Sequence, residues 1–105
     1  MRYRVVRTDT ADSLIRRMIL FVAEKFGNEV ALEKLDSLEK SILALEENPY
    51  IGTLPNYNIL RRQGHRMLIL EKDLVFYKVD DEQRLVTVYA VVDQRQDYLS
   101  IIRGM

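Results

Sequence analysis

The chain has no cysteine and little glycine or proline: among 105 residues there are four Gly and two Pro. Without cysteine it can form neither a disulfide nor a thiolate metal site, which is typical of proteins of the reducing cytoplasm. Its 48% hydrophobic and 30% charged residues exclude low-complexity and disordered chains. The length fits one compact unit, so we expect residues 1–105 to form a single domain.

Long apolar runs are also absent. No segment approaches the roughly 18 apolar residues that a membrane-spanning helix needs. The first ten residues mix charged and apolar positions and lack the apolar core of a secretory signal. We therefore expect a cytoplasmic protein with no membrane partner.

An excess of charge of either sign is missing too, because 16 basic residues balance 16 acidic ones. The charges are nevertheless segregated along the chain. Residues 1–8 carry three Arg and no acid, 9–48 carry nine acids against five bases, and 58–78 carry five bases against two acids. The pattern predicts a local basic patch that could meet an anionic surface, although a nucleic-acid-binding domain is normally basic throughout.

The apolar periodicity predicts a short strand at residues 2–7 and then a helical hairpin. Thr8 or Thr10 is predicted to cap the first helix, Gly27 to end it, Asn28 to cap the second, and Pro49 to stop it. The predicted core positions of the two helices are Leu14, Ile15, Met18, Ile19, Val22, Phe26, Ala31, Leu35, Leu38, Ile42 and Leu45.

Three further strands are predicted at residues 67–70, 74–79 and 85–92, joined by tight hairpins. Alternation along the last strand places its most aliphatic face, Val86, Val88, Ala90 and Val92, against the helices. Residues 93–105 suit a short final helix. The predicted fold class is α+β, with a two-helix hairpin packed on one face of a small antiparallel sheet and a short C-terminal helix.

The other face of this sheet is predicted to carry the functional residues. Three arginines and the only histidine fall within six residues: Arg61, Arg62, His65 and Arg66. Arginine offers a planar fork for phosphate, histidine a proton acceptor near neutral pH, and tyrosine a ring for stacking on a base. A metal-free ribonuclease needs these functions together. The remaining candidates are Lys72, Tyr77, Lys78, Tyr89 and Arg95.

Each candidate also has a structural interpretation. A basic stretch beside a strand is more often a solvated edge that blocks aggregation, and a lone histidine there is expected to be exposed. Tyrosines on strands often serve only sheet packing. No nucleotide-cofactor, zinc-protease or esterase motif is present, so we expect no cofactor and no metal.

The segments "ILRRQGHRMLILEKDLVFYKV" and "VYAVVDQRQDYL", together with the order of elements, resemble the RelE/ParE superfamily of bacterial toxins. The resemblance covers nearly the whole chain. It implies a small cytoplasmic toxin of a type II toxin–antitoxin module, held inactive by a cognate antitoxin that wraps its groove and sheet in a hetero-oligomer. RelE-like members cleave mRNA on the ribosome without a metal, whereas ParE-like members poison DNA gyrase and are not hydrolases.

The chain departs from the RelE-like nuclease pattern in two places. Leu74 stands where those nucleases commonly carry an arginine, and Val92 and Asp93 stand where they carry glycine followed by a basic or aromatic residue. Only Arg95 and Tyr98 keep the polar ending. A neutral chain with a pI near 6.6 also attracts ribosomal RNA weakly at long range.

The sequence therefore predicts a ParE-like toxin that inhibits growth by binding DNA gyrase. The predicted target-binding residues are Arg61, Arg62, Arg66, Tyr89, Arg95 and Tyr98. The alternative is a ribosome-dependent mRNA endoribonuclease, whose candidate catalytic residues are His65, Arg66, Lys72 and Tyr77. A third interpretation is an inactive relic that only binds its antitoxin.

Overall fold

The computed structural model describes residues 2–94. Its elements, in chain order, are β1 (Arg4–Arg7), α1 (Asp9–Phe26), α2 (Asn28–Leu43), α3 (Asn58–Arg62), β2 (Arg66–Ile69), β3 (Asp73–Asp80) and β4 (Leu85–Asp93). A 3₁₀ turn at Ala44–Glu46 follows α2. The predicted α+β order is confirmed, and the one-turn helix α3 is an addition that the sequence analysis missed. The predicted C-terminal helix lies outside the described residues.

Thr8 marks the start of α1, and Gly27 marks the junction between α1 and α2. The Thr8 hydroxyl accepts a hydrogen bond from the Ala11 N–H at 3.1 Å, so Thr8 and not Thr10 caps α1. Gly27 adopts φ +96°, a conformation that side chains rarely tolerate, and joins the two helices directly. The predicted capping role of Asn28 is wrong, because Asn28 is already the first residue of α2 and Gly27 occupies the cap.

The sheet has the strand order β1-β4-β3-β2. The predicted antiparallel hairpins β2–β3 and β3–β4 are present, and β1 adds a parallel strand at the far edge of β4. The helical hairpin between β1 and the remaining strands supplies the long connection that a parallel pair requires.

A bulge in β4 changes which side chains face the helices. Tyr77 pairs with Val88 and Phe76 pairs with Ala90, so Tyr89 is an extra residue of β4 with no paired residue in β3. One extra residue reverses the alternation beyond it. Val86 and Val88 face the helices as predicted. Beyond the bulge Val91 faces them, and the prediction for Ala90 and Val92 is wrong.

Two apolar clusters cover the two faces of the sheet. The first joins α1 and α2 to the sheet and is built from Ala11, Ile15, Leu38, Ile42, Leu45, Val75, Tyr77, Val86, Val88 and Val91. The second lies on the opposite side and contains Leu60, Leu74, Phe76, Ala90 and Val92. We call that opposite side the open face. Among residues 2–94, Leu60 packs over its end near α3, whereas the residues of the β3–β4 turn are exposed.

The tip of the helical hairpin extends past the core. No residue from Arg16 to Val30 is buried. Phe26, which the periodicity placed in the core stripe, lies in this protruding segment and is 67% exposed. Among residues 2–94, none of the helices has both the length and the apolar content needed to cross a membrane.

Candidate target-binding face

Helix α3 determines where the Arg61–Arg66 cluster points. Leu60 is 1% exposed and anchors the helix to the second apolar cluster. Gly64 has φ +85°, its N–H donates to the Arg61 carbonyl, and the next N–H donates to the Leu60 carbonyl. This is a Schellman motif, which ends a helix and turns the following chain inward. Gly64, which follows "ILRRQ" in the sequence, could have predicted a short helix that ends there.

Arg61 and Arg62 are the exposed part of this cluster. Both lie in the last turn of α3, where positive charge is favoured by the helix dipole. Neither guanidinium has an ion pair within residues 2–94. As far as residues 2–94 are concerned, both guanidinium groups are accessible to an anionic partner.

His65 is buried, contrary to the expectation of an exposed side chain. It is 3% exposed and its ring meets Tyr89 edge-to-face, with centroids 5.3 Å apart. Burial lowers the pKa of His65 below its ordinary value of 6.5, and the nearby charge of Lys78 lowers it further. Its Nδ1 atom is buried without a partner among the described residues. Its surroundings thus favour the neutral form of the ring.

Lys78 completes a stack with these two rings. Its ammonium lies 5.0 Å from the centroid of the Tyr89 ring, a cation–π contact. Lys78 pairs with Thr87 across the strands and alternates with Tyr77, which faces the helices. Lys78, Thr87 and the bulged Tyr89 therefore lie together on the open face.

Arg66 is held by the loop that precedes α3. Its Nη2 donates to the carbonyls of Gly52, at 2.6 Å, and Tyr50, at 3.1 Å. Its guanidinium also lies 5.1 Å from the Tyr50 ring centroid. Both hydrogen bonds use Nη2, while Nε is buried without a partner among the described residues. Arg66 thus ties β2 to this loop.

Tyr77 is fully buried on the helix side of the sheet. Its hydroxyl oxygen accepts a hydrogen bond from the Gly52 N–H at 2.9 Å. It is thus separated from the open face, where Tyr89 lies, and it cannot meet a ligand unless the core opens.

The other candidates are spread along the sheet. Lys72 is exposed at the β2–β3 turn, at the end of β3 opposite to Lys78. Arg95 and Tyr98 lie outside the described residues. Of the predicted residues, the structure brings together His65 and Tyr89, with Lys78 beside them. Within residues 2–94 no group of three or more His, Cys, Asp or Glu side chains could hold a metal ion.

A tyrosine–aspartate cluster that the sequence analysis missed lies at the β3–β4 turn. The Asp81 carboxylate accepts hydrogen bonds from the hydroxyls of Tyr3 and Tyr50, each at 2.6 Å. These bonds lower the pKa of Asp81, and the bond to Asp81 raises the pKa of Tyr50 to about 12. The three residues are separated by up to 78 positions, so no local pattern could have joined them.

The sequence matches a family model described as the ParE toxin of type II toxin–antitoxin system, parDE, over residues 5–98. No curated protein sequence matches the chain significantly.

Several solved toxin structures share the fold. The chromosomal ParDE system from P. aeruginosa superimposes with a TM-score of 0.73 at 16% identity, covering 88% of this chain and 96% of that one. The RelBE2 complex from Mycobacterium tuberculosis gives 0.62 at 18% identity, covering 90% and 100%. The intact E. coli RelBE complex gives 0.58 at 20% identity, covering 90% and 99%.

Proposed function

Because the chain belongs to the ParE toxin family of type II toxin–antitoxin systems, we propose that it inhibits bacterial growth by binding DNA gyrase. The family match over 94 of its 105 residues, from 5 to 98, supports the toxin assignment. The similar folds of toxins from ParDE and RelBE systems support an antitoxin as its partner. Toxin and antitoxin would form a cytoplasmic hetero-oligomer.

One observation carries the choice of binding over hydrolysis: of the catalytic candidates, His65 and Tyr77 are not on an accessible surface, and the exposed Lys72 lies apart from them at the β2–β3 turn. A general base must come within hydrogen-bond reach of the proton that it takes. His65 is 3% exposed and packed on Tyr89, and Tyr77 is fully buried behind the sheet. A hydrolytic role would require both side chains to leave the core.

The surroundings of Leu74 support the same choice. RelE-like nucleases commonly carry an arginine at this place. Here Leu74 is 6% exposed in the second apolar cluster, which Leu60 covers. An apolar, closed surface at that end of the open face offers nothing to a phosphate group.

Arg61 and Arg62 are the proposed contacts to the target. They are exposed, adjacent and free of ion pairs within the described part of the chain. Rim charges of this kind act mainly on the rate and specificity of association. Tyr89 contributes an aromatic surface on the open face, and Arg95 and Tyr98 stay predicted contacts.

The test is induction of the chain in bacteria, with DNA damage and mRNA cleavage measured in parallel. A gyrase poison induces the DNA-damage response and inhibits purified gyrase in a supercoiling assay, while transcripts stay intact. Transcripts cut on the ribosome would overturn the proposal in favour of the endoribonuclease. Unimpaired growth, with the protein folded and abundant, would indicate the inactive relic.

Charge reversal provides a matched pair of variants. Arg61→Glu with Arg62→Glu should weaken gyrase inhibition about tenfold or more, since two target contacts become repulsive. Arg16→Glu with Arg17→Glu changes the same charge on an exposed pair of the helical layer and should have little effect. Equal loss in both pairs would show that net charge, not α3, determines binding.

A further inference from the structure

The solvent side of α1 carries large apolar side chains at its centre. Leu20 is 58% exposed and Phe21 is 55% exposed. The opposite side of the same helix is buried in the first apolar cluster, at Ala11 and Ile15. The Phe21 ring is partly ordered by Lys25, whose ammonium lies 5.8 Å from the ring centroid. Because the solvent side of a surface helix is normally polar, these exposed apolar residues indicate a surface that another molecule covers.

Two charges of opposite sign flank these apolar residues. Arg17 lies one turn before them, Glu24 lies one turn after them, and both are exposed. Seven residues make almost two helical turns, so the two charges lie along one line on the helix, about 10.5 Å apart. Neither Arg17 nor Glu24 has an ion pair within residues 2–94. We call Arg17, Leu20, Phe21 and Glu24 the α1 face.

The α1 face is complementary to itself. A twofold axis at right angles to α1, midway between Leu20 and Phe21, brings a second copy of the helix alongside the first in the antiparallel direction. The same rotation places Arg17 of each copy opposite Glu24 of the other. It also places Leu20 of each copy opposite Phe21 of the other. One operation thus matches all four residues, which is the property of an interface between two identical chains.

Helix α2 shows that the spacing of two charges is not enough. Glu33 and Lys40 are also exposed, opposite in sign and seven residues apart. The residues one turn inside them are Asp36 and Ser37, so α2 has no apolar centre between its charges. Lys40 moreover pairs with Asp36 at 3.0 Å. Of the two long helices, only α1 therefore combines free charges of both signs with exposed apolar residues between them.

We propose that the α1 face is a self-association surface, through which two copies of this chain form an antiparallel dimer with twofold symmetry. A single helix face buries less than the roughly 1,200–2,000 Å² of stable complexes, so the dimer is reversible, with an expected Kd of about 10 µM to 1 mM. The proposal goes beyond the proposed function and does not rest on it, because neither a target nor α3 takes part.

Sedimentation velocity of the purified full-length chain, over a series of concentrations, measures this self-association. The wild type should shift from monomer to dimer as its concentration rises. Arg17→Glu and Glu24→Arg should each weaken self-association about tenfold or more, because both ion pairs of the dimer become contacts of like charge. An equimolar mixture of the two variants should associate again, because one copy then offers two acidic side chains and the other offers two basic ones.

The matched control lies on α2. Glu33→Arg and Lys40→Glu change charges with the same spacing outside the α1 face, so each variant should associate like wild type and their mixture should gain nothing. Leu20→Gln keeps every charge of the face and a good helix-forming residue. It should weaken self-association about tenfold, because both copies lose apolar contact, and an unchanged unfolding midpoint would show that it is folded.

The results separate this proposal from the previous one. A wild type that stays monomeric overturns the dimer, as does a mixture of Arg17→Glu and Glu24→Arg that associates no better than either variant alone. Loss of affinity for the antitoxin encoded beside this chain in both variants, with no self-association of the wild type, also overturns it, because the antitoxin would then cover the α1 face. Monomeric variants that still inhibit gyrase support both proposals. A wild type that dimerises but never inhibits gyrase supports the dimer and refutes the target.

Discussion

Gly52 is the position where a single methyl group should do most damage. A Cβ atom built there would lie 2.5 Å from the Tyr77 hydroxyl oxygen, 2.8 Å from the Met67 carbonyl oxygen and 2.9 Å from Tyr77 Cε1. A Cβ atom does not come this close to a carbon or oxygen atom to which it is not bonded, so the loop or the Tyr77 ring must move. The Gly52 N–H and carbonyl are both hydrogen-bonded, to Tyr77 and Arg66, and either movement strains these bonds.

The expected cost of Gly52→Ala is about 1–3 kcal/mol of unfolding free energy, the usual range for overpacking a filled site. For a domain of this size that corresponds to a fall in Tm of roughly 4–8 °C per kcal/mol. Tyr77→Phe should also destabilise, by about 1–3 kcal/mol, because the buried Gly52 N–H loses its acceptor. Urea or thermal unfolding followed by circular dichroism measures both.

The double variant tests the reasoning directly. Tyr77→Phe removes the oxygen atom nearest to the new methyl group, so the double variant should lose less stability than the sum of the two single variants. Coupling of about 0.5–3 kcal/mol is usual for residues in contact. Ile51→Ala, next in the chain and 60% exposed, is the control and should change stability little. Strict additivity, or a Gly52→Ala protein as stable as wild type, would refute the predicted contact.

Three further predictions concern titratable and cationic groups. The pKa of His65 is lowered on folding, so the unfolded chain binds the proton more readily and stability should fall as the pH drops below about 6.5. His65→Gln should make the unfolding free energy depend less on pH in this range. An unchanged pH dependence would contradict the burial of the ring. Arg66→Ala should lower the unfolding free energy by about 1–3 kcal/mol, because the charge-assisted hydrogen bonds to the loop are lost. If the variant keeps its stability but loses target binding, Arg66 contacts the target instead. Asp81→Asn should bring the pKa of Tyr50 down from about 12 in an absorbance titration of tyrosine, whereas an unchanged titration would mean that Asp81 does not accept its bond.

The periodic elements could be predicted because their signals are local. Apolar residues three and four apart located both long helices, and β-branched runs between turn residues located the last three strands. The bulge could not be predicted, because nothing in "VTVYAVV" marks Tyr89 as the unpaired residue. Its position depends on pairing with β3 and on the fit of Val88 and Val91 against the helices.

The site was harder to predict than the fold because its side chains are oriented by contacts distant in sequence. Three arginines and a histidine within six residues suggested one basic surface. In the structure, the Schellman turn at Gly64 divides them: Arg61 and Arg62 point to solvent, His65 turns inward and Arg66 binds the preceding loop. Of the four residues that composition placed on one basic surface, only Arg61 and Arg62 are there.

That division also bears on which macromolecule the open face suits. A surface that binds RNA needs several cations aligned along the phosphate backbone. Here the described open face holds Lys78 beside three carboxylates at one end and the apolar Leu74 cluster at the other. Charges of both signs beside an apolar surface are instead typical of a protein–protein interface. The charge pattern of this face, more than the neutral net charge of the chain, therefore favours a protein over a nucleic acid as the partner of this face.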